Sequence, residues 1–178
     1  MKKWILVVLM GLFFSVGVLE AKDKNVLNLE VNNTIAKLEL KAKGAREFLK
    51  RAQGYLVIPE LYKAGFVVGG EYGEGALLIG DKIVDYYSVI SASIGFQAGA
   101  QVRSLIIVFL TPKSLEDFRR KNRWKVGVDG SVAFVDWGKG IDLSTMDFKK
   151  PIIAFMFDNK GLMAGVSIDG SVFTRISK

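Results

Sequence analysis

The sequence contains no cysteine and no histidine. Without cysteine the chain cannot be held by disulfides, cannot use a thiol nucleophile, and cannot carry a lipid on a cleaved leader, because a lipoprotein leader needs a cysteine at its cut. Without histidine as well, zinc sites of the Cys/His kind and His-based catalytic triads are excluded. No cofactor and no metal site is expected. Stability must come from an apolar core, and half of the 178 residues are apolar, which suits one domain.

The apolar residues are densest at the start, "MKKWILVVLMGLFFSVGVLEAKDKN". Lys2 and Lys3, the apolar run Trp4 to Leu19 and the small residue Ala21 predict a secretory signal peptide cut after Ala21, with Leu19 at the minus-three position its weakest match. The alternative is an uncleaved anchor helix, but the run of 16 residues falls short of the roughly 18 that a spanning helix needs. The expected organisation is a signal peptide at 1–21, a polar lead at 22–33 and one domain at 34–178. Removing residues 1–21 takes away two Lys and one Glu and lowers the formal charge from +7 to +6. A basic surface suits any anionic polymer or membrane, and export selects among them. Membrane surface and envelope polymers are then the partners at hand and nucleic acid is not, so the expected location is the periplasm, in peripheral association with a membrane.

Beyond the lead, Ile35, Leu38, Ala42, Ala45, Leu49 and Ala52 recur every three or four residues and predict one helical face, weakly extended back to Leu27 and Val31. Asn33 or Thr34 can cap this helix and Gly54 can end it; Gly44 weakens it. From Tyr55 the pattern becomes that of strands, predicted at Tyr55–Ile58, Phe66–Glu71, Ala76–Ile79, Ile83–Tyr87, Ser91–Ala98, Val102–Leu110, Lys125–Val128, Ser131–Val135, Ile152–Phe157, Leu162–Ile168 and Val172–Ile176. Gly80-Asp81, Asp129-Gly130, Asn159-Lys160-Gly161 and Asp169-Gly170 supply turn chemistry. Within "TPKSLEDFRRK" a second short helix is expected, with Thr111 as cap and Pro112 at its first position, or with Ser114 and Asp117 as a capping box. These elements predict an α+β domain: an antiparallel, barrel-like sheet of about ten short strands with an N-terminal helix and a second short helix. A membrane-spanning barrel would need alternating strands of about 9–11 residues, whereas most predicted runs are shorter and apolar on both faces.

The stretch "KAGFVVGGEYGEGALLIG", Lys63 to Gly80, has six glycines in 18 residues. A phosphate loop would need Lys and Ser/Thr after its last glycine, and a dinucleotide loop would need a helix to follow; neither condition is met. Glycines in related settings recur unevenly at "IGFQAGA", "VGVDGSVAFV" and "AGVSIDGSVF", as expected where strands bend or pack closely. The stretch is therefore read as two strands and their bend. A carboxylate pair such as Glu71 and Glu74 has the chemistry for acid/base hydrolysis, but nothing singles out a pair among acids that fall mostly at turns.

Two basic clusters stand out. Lys37, Lys41, Lys43, Arg46, Lys50 and Arg51 lie on the polar side of the first helix, and Arg119, Arg120, Lys121, Arg123 and Lys125 surround Trp124. Cations near an anionic bilayer contribute about 1 kcal/mol each, and Trp favours the headgroup level, so both clusters are candidate lipid-binding residues. The plainer alternatives are a docked amphipathic helix with its charges in water, and a cationic helix end with Trp124 in the core.

Taken in order, "AKG", "YLVIPELYKAGFVVGGEYGEGALL", "YYSVISASIGFQAGAQVRSLIIVFLT", "LEDF", "VGVDGSVAFVD" and "IIAFMFDNKGLMAGVSIDGSVFTRI" resemble the SYLF-domain family over about Ala36 to Ile176. Ile58 stands where a Phe before the proline is common, and "DYYSVISAS" replaces a Trp-containing segment. The resemblance implies a non-catalytic lipid-binding module, with phosphoinositides as ligands of eukaryotic relatives and actin-assembly factors as partners of some. For an exported bacterial protein it implies binding of an anionic phospholipid at an envelope membrane. The alternatives are a structural or assembly partner of envelope proteins and a carboxylate-based hydrolase.

Overall fold

The computed structural model describes residues 21–65, 68–94, 99–136, 142–144, 149–161 and 168–178. Nearly all of the expected signal peptide and most of the expected strand Leu162–Ile168 lie outside them. The described residues form helices α1 (Lys24–Lys41), α2 (Ala45–Arg51) and α3 (Pro112–Arg120). The strands are β1 (Gly54–Gly65), β2 (Val68–Ile79), β3 (Lys82–Ile94), β4 (Gly99–Phe109), β5 (Arg123–Lys125), β6 (Ala133–Asp136), β7 (Ile152–Gly161) and β8 (Val172–Ile176). They make one curled, open sheet in the order β5-β8-β3-β2-β1-β4-β7-β6. Every neighbouring pair is antiparallel except β6 and β7, which run parallel. This is the expected α+β, barrel-like architecture, left open as a half-barrel.

Among the described residues β1 to β4 are longer than predicted, while β5 and β6 are each one residue shorter than the expected runs Lys125–Val128 and Ser131–Val135. The described parts of the expected runs Phe66–Glu71 and Ala76–Ile79 belong to one strand, β2, and those of Ile83–Tyr87 and Ser91–Ala98 to another, β3; residues 66–67 and 95–98 lie outside the described residues. The glycines of "EYGEG" make no bend. Instead they face a bulge in β1, where the register slips by one residue between Val57 and Glu60. Pro59, which has no N–H to give a ladder, sits in that bulge, and Ser104 Oγ donates to its carbonyl at 2.8 Å. A Cβ on Gly75 would lie 2.0 Å from the Val57 carbonyl oxygen, so glycine permits the close approach of the strands. Strand shortness therefore does not exclude a membrane barrel, since β1 to β4 have 11 to 13 residues. The inner halves of these strands are instead covered by protein on both faces.

One face carries Tyr55, Val57, Ala76, Leu78, Ile106 and Val108 against α1 and α2. The opposite face carries Leu56, Ile58, Leu77, Leu105, Ile107 and Phe109 in a core that includes Phe118 of α3 and Trp124 of β5. The expected single N-terminal helix is two. Asp23, rather than Asn33 or Thr34, caps α1 by accepting from the Asn25 and Val26 amides, which draws Leu27 and Val31 fully into the helical face. Gly44 then breaks the chain in the left-handed region at φ 76°. Leu143 closes over this break, its N–H donating to the Lys43 carbonyl at 2.8 Å. α3 starts as the first of the two expected arrangements, with Thr111 as cap, Pro112 behind it and a reciprocal Thr111–Ser114 box. Gly80 and Asp81, both at positive φ, make the two-residue turn between β2 and β3.

Candidate functional site

The first basic cluster is carried by α1 and α2 on the side away from the sheet. Leu27, Val31 and Leu38 point into the core, which turns the stripe Leu29, Asn33, Lys37 and Leu40 outward. Leu40 is 88% exposed, unusual for a leucine, and Leu29 is 62% exposed. Around this end of α1 stand Lys37, Lys41 and Lys43. Lys41 Nζ lies 6.0 Å from the Phe157 ring centre, and Lys43 is 3.4 Å from Asp142. Arg46 makes a two-pronged pair with Glu39 at 2.8 and 3.2 Å, leaving its charge largely matched. Lys50 and Arg51, at the end of α2, are exposed and make no ion pair among the described residues. A groove of about 340 Å³ runs between α1 and the β1 bulge, bordered by Asn33, Ala36, Lys37, Leu40 and Pro59.

The second cluster is more fully neutralised. Arg119 pairs with Asp85 at 3.1 Å, Arg120 with Asp117 at 3.0 Å, and Lys121 with Asp129. β5 alternates, so Arg123 and Lys125 face outward while Trp124 between them faces inward. Trp124 is 1% exposed and packs against Phe118 and Phe173, with ring centres 5.4 and 6.1 Å away. It is a core residue and meets no solvent. α3 packs through Phe118 on the sheet face opposite to α1 and α2, so the two clusters do not merge into one patch.

Charged residues also occupy the sheet itself. On β2, Glu71 and Glu74 are three positions apart and point to opposite faces, so they form no facing acid pair. Glu71 accepts from Arg103 Nη2 at 2.6 Å and lies 3.3 Å from Lys63 Nζ, all three buried. Among the described residues its second, buried oxygen has no hydrogen-bond partner. Glu74 accepts from Tyr72 Oη at 2.7 Å and from Lys178 Nζ at 2.6 Å. Burial opposes ionisation of Glu74, yet these donors hold its carboxyl below the ordinary range. Lys22 Nζ donates to Glu30 at 2.6 Å and Glu60 at 2.5 Å. Burial works against its charge, but the two carboxylates raise its pKa above the usual lysine value.

Sequence patterning did not single out these ionic groups. A signal was present for one of them: Arg103 shares the face of Leu105, Ile107 and Phe109 in a run that is apolar on both faces, where a cation needs a buried partner. Among the described residues, no helix is long and apolar enough to cross a membrane.

The sequence model of the Ysc84 family, described as Las17-binding protein actin regulator, matches residues 90–178, half of the chain. A curated relative, an SH3 domain-containing protein of Schizosaccharomyces pombe, is 29% identical over 133 residues, which cover 70% of this chain and 30% of the relative. The chain thus spans less than a third of that relative's length. From Ile90 onward the family match takes in the end of β3, β4, α3 and every later strand, joining the motifs that carry the SYLF resemblance: the chain belongs to the Ysc84 family of SYLF-domain proteins.

Proposed function

We propose that this protein binds anionic phospholipid, without catalysis, at a bacterial envelope membrane reached from the periplasmic side after export. The observation that carries the reading is the end of α1, where an almost wholly exposed Leu40 stands among Lys37, Lys41 and Lys43, with Lys50 and Arg51 nearby on α2. A leucine that can enter the acyl boundary and cations that meet headgroups are the two parts of a peripheral lipid contact. Arg123 and Lys125 on β5 offer a lesser, separate basic surface; Trp124 is left out of the contact because it is inside the core.

Flotation with vesicles tests this. The purified protein is expected to float with phosphatidylglycerol-containing vesicles at low salt, to be released as salt rises, and to ignore phosphatidylcholine vesicles. Leu40→Ser and the triple change Lys43→Glu, Lys50→Glu, Arg51→Glu should each reduce flotation at least tenfold, which corresponds to the loss of about one to three such contacts. Equal binding to neutral vesicles, or unchanged flotation of both variants, overturns the reading.

A second reading, an assembly partner of envelope proteins, is supported by the family's description as an actin regulator and by the SH3-containing relative. It predicts capture of a specific protein from detergent-cleared envelope extract that survives lipid removal.

A further inference from the structure

α1 and α2 cover only half of the sheet face on which they lie. Tyr55, Val57, Ala76 and Leu78 are buried beneath them, but farther along the strands the same face opens: Tyr62 is 37% exposed, Ile90 55% and Val68 67%. Cross-strand register sets one row of this bare half, Lys125–Val172–Ile90–Tyr72–Tyr62–Val102, from β5 to β4. The next row out, Ala92–Gly70–Ala64–Ala100, holds only alanine and glycine, all exposed. Polarity is graded along the strands. Glu60 and Glu74, paired in register beside α1, each accept from the tyrosine two residues along their own strand, Tyr62 Oη donating at 2.5 Å and Tyr72 Oη at 2.7 Å. Both hydroxyls are thus turned back towards α1, and their rings face the apolar half. The sequence has no charged residue from Ala64 to Gly70 or from Tyr86 to Val102. At about 3.3 Å per residue, the strand from Tyr72 to Val68 carries this surface about 13 Å beyond the tyrosine.

We propose that this bare half-face is the surface that enters the acyl boundary of an anionic bilayer, with Tyr62 and Tyr72 at the headgroup level. Tyrosine suits that level because its ring meets apolar surroundings while its hydroxyl stays on the polar side. The charge-free reach beyond it is enough for the roughly 5–10 Å to which interfacial elements enter a bilayer. Charge complementarity selects a lipid surface over a protein or a second copy. Arg123 and Lys125 are exposed on the same face, and Lys125 closes the tyrosine row at its β5 edge, where anionic headgroups would lie. A protein interface has a polar rim around its apolar centre, whereas this surface stays apolar along β2 to Val68. The charged residues on the reverse face at this level, Lys63, Glu71 and Arg103, are buried and are not presented to lipid. The inference rests on the phospholipid reading above and adds an acyl contact to the cationic end of α1.

The chain has no cysteine, so single cysteines can be labelled without competition. The purified protein carrying Ile90→Cys, Val68→Cys or Val84→Cys is labelled with a nitrobenzoxadiazole fluorophore and mixed with phosphatidylglycerol vesicles at low salt. Val84 is exposed at the opposite end of β3 and serves as the reference. Labels at 90 and 68 are expected to shift to the blue and to be quenched by spin-labelled acyl chains, while the label at 84 keeps its emission in water. The double change Ile90→Asp, Val68→Asp should reduce flotation at least tenfold, since both apolar side chains would lose their burial in lipid. Flotation with water-like emission at 90 and 68, or undiminished flotation of the double variant, overturns this face as the entry surface and leaves the contact at α1 standing. Failure of the unsubstituted protein to float overturns both. A blue shift at 90 that grows with protein concentration in the absence of vesicles makes a second copy the occupant and overturns the proposal as well.

Discussion

Glu71 shows what a single buried carboxylate is worth when two cations depend on it. Arg103 is 1% exposed and Lys63 is nearly as deep, so Glu71→Gln leaves both beside a neutral group. The expected loss is about 3–5 kcal/mol in urea unfolding, as for other broken buried pairs. A loss under about 1 kcal/mol would mean that water reaches the site. Gly75 and Gly80 form a second contrast. Alanine at 75 would put a methyl group against the Val57 carbonyl oxygen, where backbone must move, and about 3 kcal/mol or more is expected. Gly80 has open space around it and only a positive φ of 55° to object, so Gly80→Ala should cost about 1 kcal/mol. Both values come from the same urea titration, and a reversal of their order would refute the bulge geometry as the reason for Gly75.

The break between α1 and α2 depends on one residue and on a distant loop. A Cβ on Gly44 would meet Ser144 N at 2.8 Å while also occupying the left-handed region, so Gly44→Ala is expected to cost about 1–3 kcal/mol. Amide exchange should quicken in α2 and around Leu143 first, leaving β1 and β4 protected; uniform change along the chain would count against a local lock. The sequence showed the apolar face of this pair correctly, because Leu38, Ala42, Ala45 and Leu49 all reach the core. It showed the interruption only as the weak point Gly44, since a face of that spacing passes through both helices and Ser144, which packs closely on Gly44, is a hundred residues away. β8 and the cap of α3 were legible for the opposite reason: Asp169-Gly170 before one, and Thr111 and Pro112 at the other, fix them locally. The merging of short runs into β2 was not legible, because glycine inside a strand looks like a bend until the opposing bulge at Pro59 is known. The candidate basic residues were readable as residue types. Which of them stay unmatched by acids, and that Trp124 turns inward, depended on pairings such as Arg119–Asp85 across 34 positions.

For the molecule as a whole, the ionic ties between α1, the sheet and Lys178 give stability a defined response to pH. The folded pKa of Glu74 lies below its ordinary value, so its contribution is fully present above about pH 4.3 and is lost as pH falls through the folded value. Tm measured from pH 7 down to 3 should drop most steeply below about pH 4.3, and Glu74→Gln should flatten that limb; an unchanged limb would assign acid sensitivity elsewhere. Tyr72 titrates in the other direction. Burial, with the Glu74 carboxylate beside it, pushes it up to about 12, so its contribution is fully present below about pH 10 and is lost as pH rises from there through the folded value. The open half-barrel has a further consequence for behaviour at high concentration. Its two outermost strands among the described residues, β5 and β6, are three and four residues long, whereas the longest strands are flanked on both sides. Short rims are poor templates for adding a foreign strand, so copies that gather on a crowded surface are disfavoured from zipping edge to edge into fibrils.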